Sequence, residues 1–147
     1  METNAIVELA QQENFLFMAN FGGQIADWAI DEPEPLGSGK GPSPDQLLAA
    51  AVGNCLASSL FFALRKFKQD ATPIRVRAEV VPGRNDEGRL RILEINVEIV
   101  LSKPASAYMH LDRAISQFED FCTVTQSVRQ SLPVHVTVKD SEGAVLK

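Results

Sequence analysis

Residues 41–68 read GPSPDQLLAAAVGNCLASSLFFALRKFK, and this stretch decides the fold. Ser43 suits an N-cap, Pro44 the first helical position, and Gln46 completes a Ser-x-x-Gln capping box. Asp45 adds negative charge in the first turn, where the helix dipole favours it. The spacing predicts a helix from Pro44 to about Lys68, about 36 Å long at about 1.5 Å per residue. Leu47 to Leu64 is 18 residues without a charge, the lower edge of a bilayer span. Asn54, Ser58 and Ser59 near its middle, with five alanines, argue instead for a buried helix of a soluble protein. Its first turns are apolar nearly all round, a pattern that does not suit a helix with one wet face. A chain of 147 residues has little material to wrap such a helix alone, so the reading expects an intimate homodimer with the helix buried between subunits.

Outward from this helix the chain reads as strands and shorter helices. Ala5–Leu9, Asn14–Ala19 and Gln24–Ala29 are predicted strands of an antiparallel meander, broken at Gln11-Gln12-Glu13 and Phe21-Gly22-Gly23. Asp31 to Gly41, DEPEPLGSGKG, holds two prolines and three glycines and is a loop. Pro73–Val81 and Arg89–Leu101 form a hairpin across PGRNDEG. The second strand's alternation slips, with Leu90 and Ile92 in one phase and Leu93, Ile95, Val97, Ile99 and Leu101 in the other, so a β-bulge is expected near Ile92–Leu93. Ser106 to Phe121 returns to helical spacing, with Leu111, Ala114, Ile115, Phe118, Phe121 and Cys122 on one stripe. Thr123 and Gln126 are placed for a second capping box. Val134, Val136 and Val138 alternate with His135 and Thr137 as a closing strand. The order gives an α+β domain with antiparallel sheet packed on a helical layer.

Composition fits one domain spanning residues 1–147: 45% hydrophobic and 22% charged residues exclude bulk disorder. The net charge of -5 is uneven, since the first 55 residues hold eight acids against one base, Lys40, and the remainder 11 acids against 13 bases. Without a basic stripe, nucleic-acid binding is excluded as a function class, because phosphate contacts supply most of that affinity. Two cysteines and two histidines form no C-x-x-C pair and no H-E-x-x-H helix, so no zinc motif is present. The N-terminal METNAIVELAQQENF lacks the basic and apolar regions of a signal peptide. A cytoplasmic, reducing compartment and no membrane partner are therefore expected.

Cys55 lies mid-helix, where the residues alone read most simply as packed core. Cys122 ends the apolar stripe of one helix and precedes the start of another, whose N-terminal dipole is expected to lower its pKa. Spacing alone leaves open whether the two meet across the 67 positions that separate them. His110 reads as a partly exposed helical residue, and His135 faces away from the valine stripe. Asp31, Glu32 and Glu34 read as solvated loop acids. GSGKGPS matches a phosphate-binding loop only superficially, because it lacks the Walker spacing.

Taken together, GPSPDQLLAAAVGNC and the later FCTVTQSVRQSLPVHVTV resemble the OsmC/Ohr family, the osmotically induced and organic-hydroperoxide-resistance proteins. That family's pattern is a proline-acid pair, an Ala-rich helix, a cysteine ten residues after the acid, and a second cysteine far downstream before a closing strand. Asp45, Cys55 and Cys122 fall on those positions. The resemblance implies an OsmC-like fold, with antiparallel sheets packed on long buried central helices in an intertwined homodimer. It also implies a thiol peroxidase of oxidative-stress defence that needs no metal or haem cofactor. Cys55 would be the peroxidatic cysteine, Cys122 the resolving one, and Asp45 the acid of the catalytic set. The substrate would be a small organic hydroperoxide and the reductant a lipoyl-type or similar dithiol.

The sequence departs from the family at two parts of this set, the first being Asp45, one methylene shorter than the family's usual glutamate. Active members pair the reactive thiolate with an arginine from the N-terminal region, and here no arginine precedes Arg65. A buried mid-helix thiol needs a nearby cation to ionise at neutral pH, and Lys40, Arg65 or Arg129 are the candidates to supply it. The alternative to the enzyme is a non-enzymatic protein of the same fold, binding an apolar small ligand at the dimer interface or acting as a slow redox sensor. A general disulfide exchanger is disfavoured by the absence of C-x-x-C.

Overall fold

The polar and glycine-containing breaks in the first thirty residues separate the strands of a meander, with β1 (Glu8–Glu13), β2 (Leu16–Asn20) and β3 (Trp28–Ile30) paired antiparallel in that order. The computed structural model describes residues 2–147, which divide into two compact units between Leu47 and Leu48. In the first unit the expected break at Gln11-Gln12-Glu13 is strand instead. The chain turns one step later at Asn14, whose φ of 51° is a left-handed conformation that asparagine tolerates. β1 is an edge strand exposed along its whole length, so glutamines sit in it at no desolvation cost.

The loop after β3 is organised around an acid. Asp31 is 1% exposed, and its carboxylate accepts the N–H groups of Glu32, Ser38 and Lys40 and the Ser38 hydroxyl at 2.6–3.2 Å. The Ser38 hydroxyl foremost, with the three amides, holds its pKa below the ordinary aspartate value against the cost of burial. This corrects the reading of Asp31 as a solvated acid: a Gly-rich loop turns its amides inward, and Asp31 fills the anion position they create. Gly41 then passes so close to β3 that a Cβ would overlap the Ala29 carbonyl.

Helix α1 (Pro44–Lys66) begins as expected. The Ser43 N–H donates to Gln46 Oε1 at 2.9 Å, and the Gln46 N–H donates to Ser43 Oγ at 3.3 Å, a reciprocal capping box. It ends two residues earlier than expected, in a Schellman motif. Lys68 takes φ 56°, its N–H bonds the Arg65 carbonyl, and the Gln69 N–H bonds the Leu64 carbonyl.

In the second unit β4 (Arg75–Arg84) and β5 (Leu90–Val100) pair antiparallel. Val81 pairs with Glu94 and Pro82 with Ile92, so Leu93 is the extra residue of a bulge where the phase slip placed one. β6 (Val134–Lys139) joins β5 in parallel register, Ile95 beside Val134 and Ile99 beside Val138. The sheet is therefore mixed, not antiparallel throughout, because a helical crossover separates β5 from β6 and returns the chain to the same end.

That crossover is not one helix from Ser106. A 3-10 turn at Ala105–Ala107, α2 (Leu111–Gln117), a second 3-10 turn at Phe118–Phe121 and α3 (Thr123–Val128) follow one another. His110, expected within a helix, sits before α2 at φ 58° and breaks the helical path there. Phe121, expected on the buried stripe, is 60% exposed because the tighter 3-10 turn rotates it outward.

Val52, Leu56, Leu60 and Leu64 form the buried stripe of α1 and share one core with Ile95, Ile99 and Val138 of the sheet and Phe118 of the crossover. Gly53 belongs to this contact: a Cβ there would lie 3.2 Å from Ala78 and Val76 of β4, so the glycine lets helix and sheet approach closely. The other side of α1 leaves Phe61 and Phe62 exposed within the chain. The elements are those of an α+β chain with two small sheets and one long helix. Replacing Leu56 by alanine removes a fully buried side chain at the centre of this contact. It should destabilise the fold by about 2–5 kcal/mol, read as a lower urea midpoint with an unchanged denaturant slope.

Candidate active site

Cys55 is placed by its neighbours on α1. Val52 and Leu56 are wholly buried, and Cys55, between them in the helical turn, is half-buried. Ala51, Cys55, Ser59 and Phe62 follow i, i+4, i+8 and i+11 and floor one side of a cleft of about 610 Å³. Phe121 and Val124 of the crossover stand across it. The walls are mostly apolar, and the polar atoms that reach the cleft come from Asn54, Ser58 and Ser59.

Cys122 is fully buried and forms the N-cap of α3. The Gln126 N–H bonds its carbonyl at 2.9 Å, and the Gln126 side chain bonds the Glu119 carbonyl, so the capping box expected from Thr123 and Gln126 does not form. The Cys122 thiol donates to Thr125 Oγ1 at 2.9 Å. Cys55 lies near it, and both cysteines are free. Burial pushes the Cys122 pKa above the ordinary thiol value, the nearby Cys55 adds to that, and hydrogen bonding with Thr125 opposes it. The expected lowering by the α3 dipole is therefore corrected. Desolvation penalises the thiolate more than a helix of six residues favours it.

The candidate cations separate clearly. Arg129 donates to Glu119 Oε1 at 2.5 Å and to the Val134 carbonyl at 2.8 Å, so its guanidinium is committed to fixing the crossover against β6. Lys147 pairs with the same carboxylate. Arg65 stands ten residues beyond Cys55 on α1, about 15 Å along the axis. Lys40 belongs to the first unit, where its backbone N–H bonds Asp31. Asp45 is exposed in the first turn of α1. His135 is an exposed partner of Glu94 at 3.3 Å, and His110 stacks against Phe67 with ring centroids 5.1 Å apart. Among the described residues no cluster of histidine, cysteine and carboxylate side chains could hold a metal ion.

Three side chains at this site escaped sequence reasoning. Lys66 holds its ammonium 4.8 Å from the Phe62 ring and 5.1 Å from the Phe121 ring, bridging the two cleft walls; the Phe62–Lys66 i, i+4 spacing was its local signal. Thr125 was signalled only by standing three residues after Cys122. Glu119 gave no signal, because its partners come from distant positions.

Residues 37–137 match the family model described as OsmC-like protein. Solved structures with the same fold include a hypothetical protein from Aquifex aeolicus VF5, with a TM-score of 0.74 and 21% identity over 96% of this chain and 98% of that one. A putative osmotic stress induced and detoxification response protein from Psychrobacter arcticus 273-4 matches with a TM-score of 0.76 and 17% identity over 94% and 98%. The organic hydroperoxide resistance protein OhrB of Bacillus subtilis matches with a TM-score of 0.71 and 16% identity over 93% and 98%. No curated protein sequence matches the chain.

Burial pushes the Glu119 carboxyl up, but Lys147 and Arg129 outweigh it and hold its pKa below the ordinary glutamate value. A lowered carboxylate pKa stabilises the fold above the unfolded value of about 4.3, and that stabilisation is lost as pH falls through the folded value. Melting temperatures of the native chain and of Glu119→Gln should therefore differ at neutral pH and converge as pH drops below about 4. A constant difference across that range would show that the ion pairs carry no net stability.

Proposed function

The chain belongs to the OsmC-like protein family, and from that membership we propose that it reduces organic hydroperoxides through Cys55 and Cys122. The observation that carries the reading is the pair itself: one half-buried thiol opening on an apolar cleft, with a second, sealed thiol beside it. In this mechanism the Cys55 thiolate attacks the peroxide O–O bond, the alcohol leaves with a proton, and Cys55 becomes a sulfenic acid. Cys122 then closes a disulfide and releases water. An external dithiol of lipoyl type restores both thiols by exchange. The apolar walls favour a hydroperoxide with a hydrocarbon body, and the two proteins whose names mention hydroperoxide resistance or detoxification share this fold.

The proposed unit is a homodimer. Phe62 is 53% exposed and Phe121 60%, an apolar surface flanking the cleft that a second copy would cover. With Arg129 held by Glu119, the cation that accompanies the Cys55 thiolate is proposed to be a lysine or arginine brought across that interface. The commitment of Arg129, with no arginine earlier than Arg65, equally favours the second reading, a ligand-binding protein of the same fold with slow thiol chemistry.

Purified protein given cumene hydroperoxide and dihydrolipoamide should consume the peroxide, and Cys55→Ser should lower the rate to background. Cys122→Ser should still oxidise once at Cys55 but fail to turn over with the dithiol. No consumption above the Cys55→Ser background, with both thiols free by mass spectrometry after peroxide, would sink the enzyme and leave the ligand-binding reading.

A further inference from the structure

Cys122 and Thr125 are both without solvent exposure, and the thiol hydrogen of Cys122 points to Thr125 Oγ1 at 2.9 Å. Water cannot compete for that bond. Cys122 is the N-cap and Thr125 the third residue of α3, so the start of the helix fixes the hydroxyl beside the sulfur. One hydroxyl thus offers the sulfur both an acceptor and a donor. A hydroxyl carries one hydrogen and two lone pairs and changes from acceptor to donor by rotation alone. Valine has the same shape and offers neither.

We infer that Thr125 is a positioning residue for Cys122: it holds the thiol hydrogen in the reduced protein and turns its own hydroxyl onto the sulfur when that sulfur loses its proton. The inference rests on the proposed disulfide chemistry and assigns the control of its second step. In that step the Cys122 sulfur attacks the sulfur of the Cys55 sulfenic acid. The S–O bond breaks, the S–S bond forms, and the Cys122 proton leaves with the hydroxide as water. Cys122 is oxidised, the Cys55 sulfur is reduced, and no outside electron donor enters. The difficulty lies in releasing a proton from a sulfur that the interior keeps neutral, and Thr125 is the group placed to ease it. The other titratable group acting on Cys122 is Cys55 from α1; the carboxylate of Glu119, three residues earlier, is occupied by Arg129 and Lys147. The sheet contributes apolar side chains to the same core, among them Ile95 and Val134.

The test uses the full chain with Thr125→Val and Thr125→Ser, each checked for an unchanged melting temperature. After one equivalent of cumene hydroperoxide, Thr125→Val should form the Cys55 sulfenic acid at the native rate, trapped with dimedone. It should close the disulfide about tenfold more slowly at neutral pH, as loss of a hydrogen bond to a charged sulfur implies, and its pH profile for closure should move to higher pH. Thr125→Ser should restore both rate and profile. Closure by Thr125→Val at the native rate and profile would overturn the inference, as would a Thr125→Ser variant as slow as the valine one. If the native chain forms neither sulfenic acid nor disulfide, the peroxidase reading fails separately. The hold on the thiol is then read in the Cys55→Ser background from ultraviolet thiolate absorbance against pH. There Thr125→Val should titrate at higher pH than its threonine parent, and identical curves would overturn the inference.

Discussion

Contact between one face of α1 and the sheet of β4, β5 and β6 is the constraint on which the second unit depends. A helix without charge from Leu47 to Leu64 gains too little from water to remain free, and burial of Val52, Leu56, Leu60 and Leu64 supplies the core around which the crossover wraps. Gly53 fixes how near the helix comes. Once the buried stripe is set, the 100° step of the helix decides where every other residue stands. Cys55 follows Gly53 and precedes Leu56, so it lands on the boundary of the core. A thiol one position earlier would face outward, and one position later it would be sealed.

The crossover completes the site by burying a different kind of cysteine. Phe118 enters the core, the tight 3-10 turn reverses the path, and Cys122 arrives at the end of that turn with no exposed surface. Glu119, Arg129 and Lys147 lock this segment from behind. The two sulfurs therefore meet in unequal surroundings, one open to a solute and one shielded from it. This inequality comes from where each residue sits relative to one core, and no charged residue beside either cysteine is needed to produce it.

Local features were legible in the sequence. The Ser43–Gln46 box involves residues three apart, and the bulge at Leu93 was written in the phase of neighbouring side chains. The resemblance placed Cys55 and Cys122 in one pattern, but nothing in residues 55 or 122 alone said that they lie near each other. Direction was less legible than periodicity: alternating valines in β6 state which side is buried and are silent on whether the strand runs parallel to β5. The broken helix before α2 turned on a single left-handed residue, His110, in a conformation that histidine adopts more readily than most side chains but still in a minority of cases. Asp31 was misread because burial of an acid is decided by amides seven and nine residues away, and composition registers only its charge.

That same carboxylate governs how the first unit meets a protease. Lys40 is the only lysine or arginine before Arg65, so an enzyme that cuts after basic residues has one bond to attack in that whole stretch. The bond joins Lys40, whose amide is pinned to Asp31, to Gly41, which is pressed against β3. Cleavage requires a segment to be drawn out as an extended strand, and exposure of the lysine side chain alone does not allow it. A loop rich in glycine and proline, the usual point of nicking, is here as resistant as the buried carboxylate that anchors it, and the first cut must wait until Asp31 lets go.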